Sequence, residues 1–270
     1  MKIVQPFGDS EAKSRRELAI YFLPNLFTSG NLFCGFYSVI ASLHGDFERA
    51  AVAIFVAGIF DFMDGRIARL TKAYSRFGEE YDSLADLVSF GAAPAVMMYL
   101  WALKPFGRIG WLAAFLFLAC GALRLARFNV QSQVVEKRHF QGLPIPIAAS
   151  ITATIVLFFL EYLQEGVKNH FVLSLTLSLA FLMVSNIRYR SFKDFDLKNT
   201  RSFGYLVIAV VTIIVLATRP ALTLLVVLGF YALSGIIDHI FHHKKYSQPQ
   251  HQSETDENEE EEKNNYEGKN

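Results

Sequence analysis

Four aspartates, Asp61, Asp64, Asp82 and Asp86, fall inside or beside long apolar stretches of a 270-residue chain. A charged carboxylate costs roughly 3 kcal/mol at mid-bilayer, so acids in such places are functional candidates. Asp61 and Asp64 are three apart and Asp82 and Asp86 four apart, so on helices each pair shares one face. The stretch between them, residues 70–79, is short enough for two antiparallel helices to direct all four side chains into one space. Ionised together in a low dielectric they repel strongly, so either some hold protons or cations neutralise them. Two divalent ions balance the charge. All-oxygen ligation suits Mg²⁺ or Mn²⁺, which pair carboxylates with substrate phosphates, and no Cys or His stands nearby to favour zinc. A two-metal site of this kind polarises a phosphoryl group and orients an attacking oxygen. The bland alternative is a set of solvated acids at a membrane edge.

The elements that must position these acids are membrane spans. Hydrophobic residues make up 52% of the chain and aromatic residues 14%, which points to lipid as the solvent and to an all-α, polytopic helical bundle. A span takes roughly 20 residues. The apolar runs place about eight, at 23–43, 47–70, 80–102, 108–128, 143–162, 170–187, 203–218 and 220–240. Pro144 and Pro146 fall in the first turn of the fifth, where a missing amide donor matters least, and Pro220 marks the turn between the last two. Alternate connections carry the positive charge: Lys2, Lys13, Arg15 and Arg16; then Arg66, Arg69, Lys72 and Arg76; then Arg124, Arg127, Lys137 and Arg138; then Arg188, Arg190, Lys193, Lys198 and Arg201. By the positive-inside rule both termini and the acids face the cytosol, which predicts an integral protein of the cytoplasmic membrane.

Residues 1–22 read as a cytosolic leader without a secretory signal, in which Glu11 to Tyr21 can lie as an interfacial helix or as a solvated segment. Residues 23–243 form the transmembrane domain. Residues 244–270 read as a disordered acidic tail, because Gln, Asn, Glu, Ser and Lys supply almost no apolar surface to offset ordering. Cys34 and Cys120 both lie in apolar segments, so no disulfide framework is expected.

The string from Asp61-Phe-Met-Asp64-Gly65 through Ala68-Arg69, followed after eight residues by Gly78-Glu-Glu-Tyr-Asp82 and then Asp86, resembles the complete motif of the CDP-alcohol phosphatidyltransferases. The resemblance implies that Asp61, Asp64, Asp82 and Asp86 ligate two divalent cations. Asp86 would also be the base that takes the proton of the acceptor hydroxyl. It implies that Gly65, Ala68 and Gly78 let a cytidine nucleotide approach the backbone, although close helix packing also uses small residues. Arg69 would hold phosphate, or serve only as a positive-inside anchor. Pro24-Asn25-Leu-Phe-Thr28-Ser-Gly30-Asn31 resembles the first-helix segment whose Asn and Thr line the nucleotide site; Asn25 as a cap and Thr28 bonded to its own backbone are the local alternatives.

Four further strings resemble the serine-transferring branch of that family. They run from Asp82 through Ser89 to Pro94, from Ala122 to Asn129, from Phe140 to Pro146 and from Met183 to Tyr189. The branch implies CDP-diacylglycerol and L-serine as substrates, a homodimer in membrane lipid and no nucleic-acid partner; an archaeal-lipid version would look similar. Arg124, Arg127 and Asn129 are candidate substrate or lipid-phosphate contacts, with Ser89 and Glu79 as further polar liners. The alternatives are another acceptor, glycerol phosphate or inositol phosphate, and a divalent-cation transporter. A transporter would place its acids at mid-membrane in repeated halves.

Overall fold

Glycine and an aspartate cap make the first turn of the bundle. Helix α1, Gly8–Leu43, ends where Gly45 adopts a positive φ of 79°, and α2, Phe47–Thr71, starts after Asp46. The Asp46 Oδ1 accepts the Arg49 amide at 3.1 Å, satisfying one of the otherwise orphaned donors of the helix start. The two helices then form the most extensive pair in the molecule. Small residues allow the approach: Ala50, Ala51, Ala53 and Ala57 are buried along α2, and the Ser38 hydroxyl of α1 donates to the Ala50 carbonyl at 2.9 Å.

The computed structural model describes residues 8–71, 75–132, 139–162, 170–190, 215 and 218–242. A third helical rod, α3, runs from Arg76 to Phe106. Ser75 caps it by accepting the Gly78 amide at 3.0 Å. It is not a uniform α-helix, because wider π turns cover Leu87–Ala92 and Tyr99–Leu103. The first of them begins one residue after Asp86, a placement typical of functional sites. Helices α4, Arg108–Ser132, α5, Ile145–Tyr162, α6, His170–Val184, and α7, Pro220–His242, complete the described bundle.

The outer faces carry Phe33, Phe36, Phe115, Phe181 and Phe230, all more than half exposed. Large aromatic side chains exposed in this number on the outer faces suit lipid better than water. Four of the helical stretches, 23–43, 76–106, 108–130 and 145–162, are long and apolar enough to cross a membrane by length and composition. Helix α2 has the length, but Asp61, Asp64, Arg66 and Arg69 interrupt its apolar run. Helices α6 and α7 are apolar and shorter in their qualifying stretches. Most of the expected span at 203–218, and the tail at 244–270, lie outside the described residues.

Helix α1 begins within the expected leader and continues through Pro24 into the first span without a break. The all-α reading omits a small antiparallel ribbon, β1, His139–Gln141, against β2, Arg188–Arg190, with Phe140 opposite Tyr189. Gly142 makes this possible with a φ of 78°; a Cβ there would meet the Met183 carbonyl oxygen. The Gly142 amide donates to Ile187 O at 2.9 Å and the Leu143 amide to Leu182 O at 3.0 Å. Two of the strings that mark the serine-transferring branch are therefore spatial partners.

Candidate active site

The acids converge where the C-terminal part of α2 meets the start of α3. One carboxylate oxygen from each of Asp61, Asp64 and Asp82 lies within 4.8 Å of the others. Asp86, one turn further along α3, interacts electrostatically with all three. Asp64 and Asp86 are buried, and Asp82 Oδ1 is buried without a hydrogen-bond partner among the described residues. An orphaned acceptor inside a ring of like charges is what a cation site looks like before the ion is counted. The donor set, all carboxylate oxygen, fits a hard divalent cation such as Mg²⁺ or Mn²⁺.

Helix α1 supplies the neutral partners. Thr28 Oγ1 sits 3.0 Å from Asp64 Oδ2 and 3.2 Å from its own Pro24 carbonyl, so one proton serves two acceptors. The local backbone bond expected of Thr28 is present, and the same hydroxyl also reaches Asp64. Asn31, fully buried, donates from Nδ2 to Asp86 Oδ1 at 3.0 Å. Its backbone carbonyl accepts the Ser89 hydroxyl at 2.9 Å. That bond needs close contact between α1 and α3, and Gly35 permits it: a Cβ there would stand 2.6 Å from Ser89 Cα. Ser89 thus holds helices together and does not line the site; Glu79 is exposed.

The small residues behave differently from one another. A Cβ on Gly65 would meet nothing nearer than Arg69 Nη2 at 3.8 Å, so open space adjoins the backbone there. Arg69 Nε donates to the Gly65 carbonyl at 2.8 Å, which holds the guanidinium over the same spot. Ala68 is half-buried on the same helix. At Gly78 a Cβ would lie 3.0 Å from Ser75 Oγ and 3.3 Å from Asn25 Oδ1, so Asn25 and Gly78 are brought together across α1 and α3.

The three expected contacts on α4 separate. Arg127 Nη1 donates to the Val184 carbonyl at 3.1 Å and lies 3.4 Å from Asn186 Oδ1, so it ties down the last turn of α6. Asn129 Nδ2 donates to Ser83 Oγ at 2.9 Å, bracing α4 against α3 beside Asp82. Only Arg124, 8% exposed, interacts electrostatically with Asp86. Asn31 closes the string that resembles the family's first-helix segment, but sequence reasoning gave it no contact of its own. The spacing that held its signal is plain afterwards, since Thr28 and Asn31 are three apart on α1 and face one acid each, mirroring Asp61 and Asp64.

Fold and site together define an integral membrane protein of helical type with a cluster of aspartates, suited to a divalent cation, between two of its helices. Residues 21–187 match the description of the CDP-alcohol phosphatidyltransferases, and the chain belongs to that family. Among curated proteins, it is 38% identical over 223 residues to the CDP-diacylglycerol–serine O-phosphatidyltransferase of Helicobacter pylori strain 26695, covering 82% of this chain and 92% of that one. It is 36% identical over 182 residues to the protein of the same name in Bacillus subtilis strain 168, covering 67% and 97%. An archaetidylserine synthase of Methanothermobacter thermautotrophicus is 37% identical over 169 residues, covering 62% and 69%.

Proposed function

We propose that the protein transfers the phosphatidyl group of CDP-diacylglycerol to the hydroxyl of L-serine, giving phosphatidylserine and CMP. The observation that carries this reading is the convergence of Asp61, Asp64 and Asp82 beside a buried Asp86, in a chain that aligns with serine-transferring relatives over most of its length. Asp86 takes the proton of the serine hydroxyl as its oxygen forms a bond to the lipid-side phosphorus. The bond from that phosphorus to CMP breaks, and CMP leaves with the electron pair. Asn31 holds Oδ1 of Asp86, so the base enters the reaction in a fixed orientation. Asp61, Asp64, Asp82 and Asp86 would hold two divalent cations, which would neutralise the pyrophosphate charge. Arg69 adds a fork of donors for phosphate beside the open backbone at Gly65 and Ala68. Asn25 and Gly78 form the opposite wall of the nucleotide site, and positioning accounts for most of the acceleration.

The accompanying architecture is eight spans with both termini and the acids on the cytosolic side of the cytoplasmic membrane, a domain from 23 to 243, and a homodimer. Release of CMP from CDP-diacylglycerol with Mg²⁺ or Mn²⁺, measured with serine, glycerol phosphate and inositol phosphate in parallel, tests the reading. Serine-dependent release is expected. Release driven by a phosphorylated alcohol instead would replace the acceptor, and cation flux into liposomes without the lipid substrate would replace the reaction class.

A further inference from the structure

Two side chains beside Asp86 hold polar atoms that nothing in the described protein satisfies. Arg124 is buried on α4, and its Nε has no hydrogen-bond partner. It has no ion pair either, since Asp46 with Arg49 is the single ion pair among the described residues. Its electrostatic neighbours are Asp86 and, from α7, Tyr231. Asn31 is buried on α1, and although Nδ2 is committed to Asp86, Oδ1 accepts nothing. A buried guanidinium nitrogen without an acceptor and a buried amide oxygen without a donor are each costly, so both atoms call for a ligand group of the opposite kind. Of the other cations of the region, Arg127 is engaged on Val184 and Arg66 lies over the Phe62 ring, while Arg69, anchored on the Gly65 carbonyl, is assigned to the donor's phosphate.

We propose that Arg124 and Asn31 form the acceptor-recognition pair, Arg124 binding the carboxylate of an α-amino acid and Asn31 Oδ1 accepting from its ammonium group. The inference rests on the serine reading above. It follows from the size of the acceptor. A serine hydroxyl that reaches Asp86 carries its ammonium nitrogen and its carboxylate carbon only three covalent bonds away, so whatever satisfies them must be a neighbour of Asp86. One unsatisfied donor and one unsatisfied acceptor in that neighbourhood match the two charged ends of a zwitterion. An acceptor bearing a phosphate in place of the amino-acid end would leave Asn31 Oδ1 facing another anion. Asn31 would then have two duties, orienting the base through Nδ2 and reading the substrate through Oδ1.

Three small molecules separate the duties: L-serine, ethanolamine, which lacks the carboxylate, and 3-hydroxypropanoate, which lacks the ammonium. The full-length protein is assayed in mixed micelles for CMP release, and analogues that do not turn over are measured as competitive inhibitors of serine. In Arg124→Gln the preference for serine over ethanolamine should shrink at least ~30-fold, the scale for truncating one partner of a buried charged contact. Its preference for serine over 3-hydroxypropanoate should stay within about threefold of wild type. Asn31→Ala should show the reverse pattern, with the 3-hydroxypropanoate ratio narrowing while the ethanolamine ratio holds. Arg124→Lys, which keeps the charge, should recover part of the serine preference and controls for loss of fold. An equal fall toward all three compounds in both variants would overturn the pairing and reduce the two residues to structural support. Failure of the wild type to use serine, with brisk CMP release to another alcohol, would instead overturn the serine reading itself.

Discussion

Replacing Thr28 by Val removes one hydroxyl from the metal-facing side of α1 and keeps the β-branched shape in a site that is 3% exposed. The lost contact is a 3.0 Å hydrogen bond to Asp64 Oδ2. Hydrogen bonds to charged groups contribute about 1.5–3 kcal/mol. At 1.4 kcal/mol per tenfold that span corresponds to a factor of roughly 10 to 150 in the affinity of whatever needs Asp64 ionised and oriented. Because the hydroxyl proton is divided between Asp64 and the Pro24 carbonyl at 3.2 Å, the lower part of that range is expected, about 10- to 30-fold. The assay is CMP release against Mg²⁺ concentration at saturating lipid and serine. The half-maximal metal concentration should rise by that factor while the plateau rate stays within about threefold of wild type. A plateau that collapses with an unmoved metal dependence would refute the assignment of Asp64 to the cation and place Thr28 in the chemistry of the acceptor.

Asp86→Asn should lower serine-dependent CMP release by at least ~100-fold while part of the metal affinity remains, measured by Mn²⁺ binding to the purified protein. Gly78→Ala crowds Asn25 Oδ1 and Ser75 Oγ, so the KM for CDP-diacylglycerol should rise about tenfold with the KM for serine unchanged. Gly142→Ala strains a φ of 78° and drives a methyl group into the Met183 carbonyl; thermal unfolding in detergent should show a loss of at least ~1–3 kcal/mol.

The pairing of acids was legible because helical spacing is a local property: three and four residues apart fix a shared face whatever the tertiary structure. The short connection between α2 and α3 did the rest. Caps and glycine turns at Gly45 and Ser75 follow the same local rules. The ribbon was not legible, because three-residue strands carry no periodic pattern and their partner lies some fifty residues away. The continuity of α1 through Pro24 was equally hidden, since a proline inside a span is tolerated where neighbouring groups satisfy the freed carbonyls. The basic residues of α4 could not be told apart by sequence at all. Arg124, Arg127 and Asn129 all sit where a positive or polar residue is favoured at a membrane edge, and only the positions of Val184, Ser83 and Asp86 across the bundle sort them.

The acid cluster spans the C-terminal half of α2 and the first eleven residues of α3, while the flanks of the same helices carry exposed Ile59, Phe62 and Leu84. Two reactant supplies of different dimensionality therefore meet at one point. The tailed donor diffuses within a sheet, and its abundance is a mole fraction of the surface; the amino acid and the departing nucleotide diffuse in a volume. Diluting the vesicles with buffer should starve the enzyme of serine alone, and adding inert lipid at a constant bulk concentration of donor should starve it of donor alone.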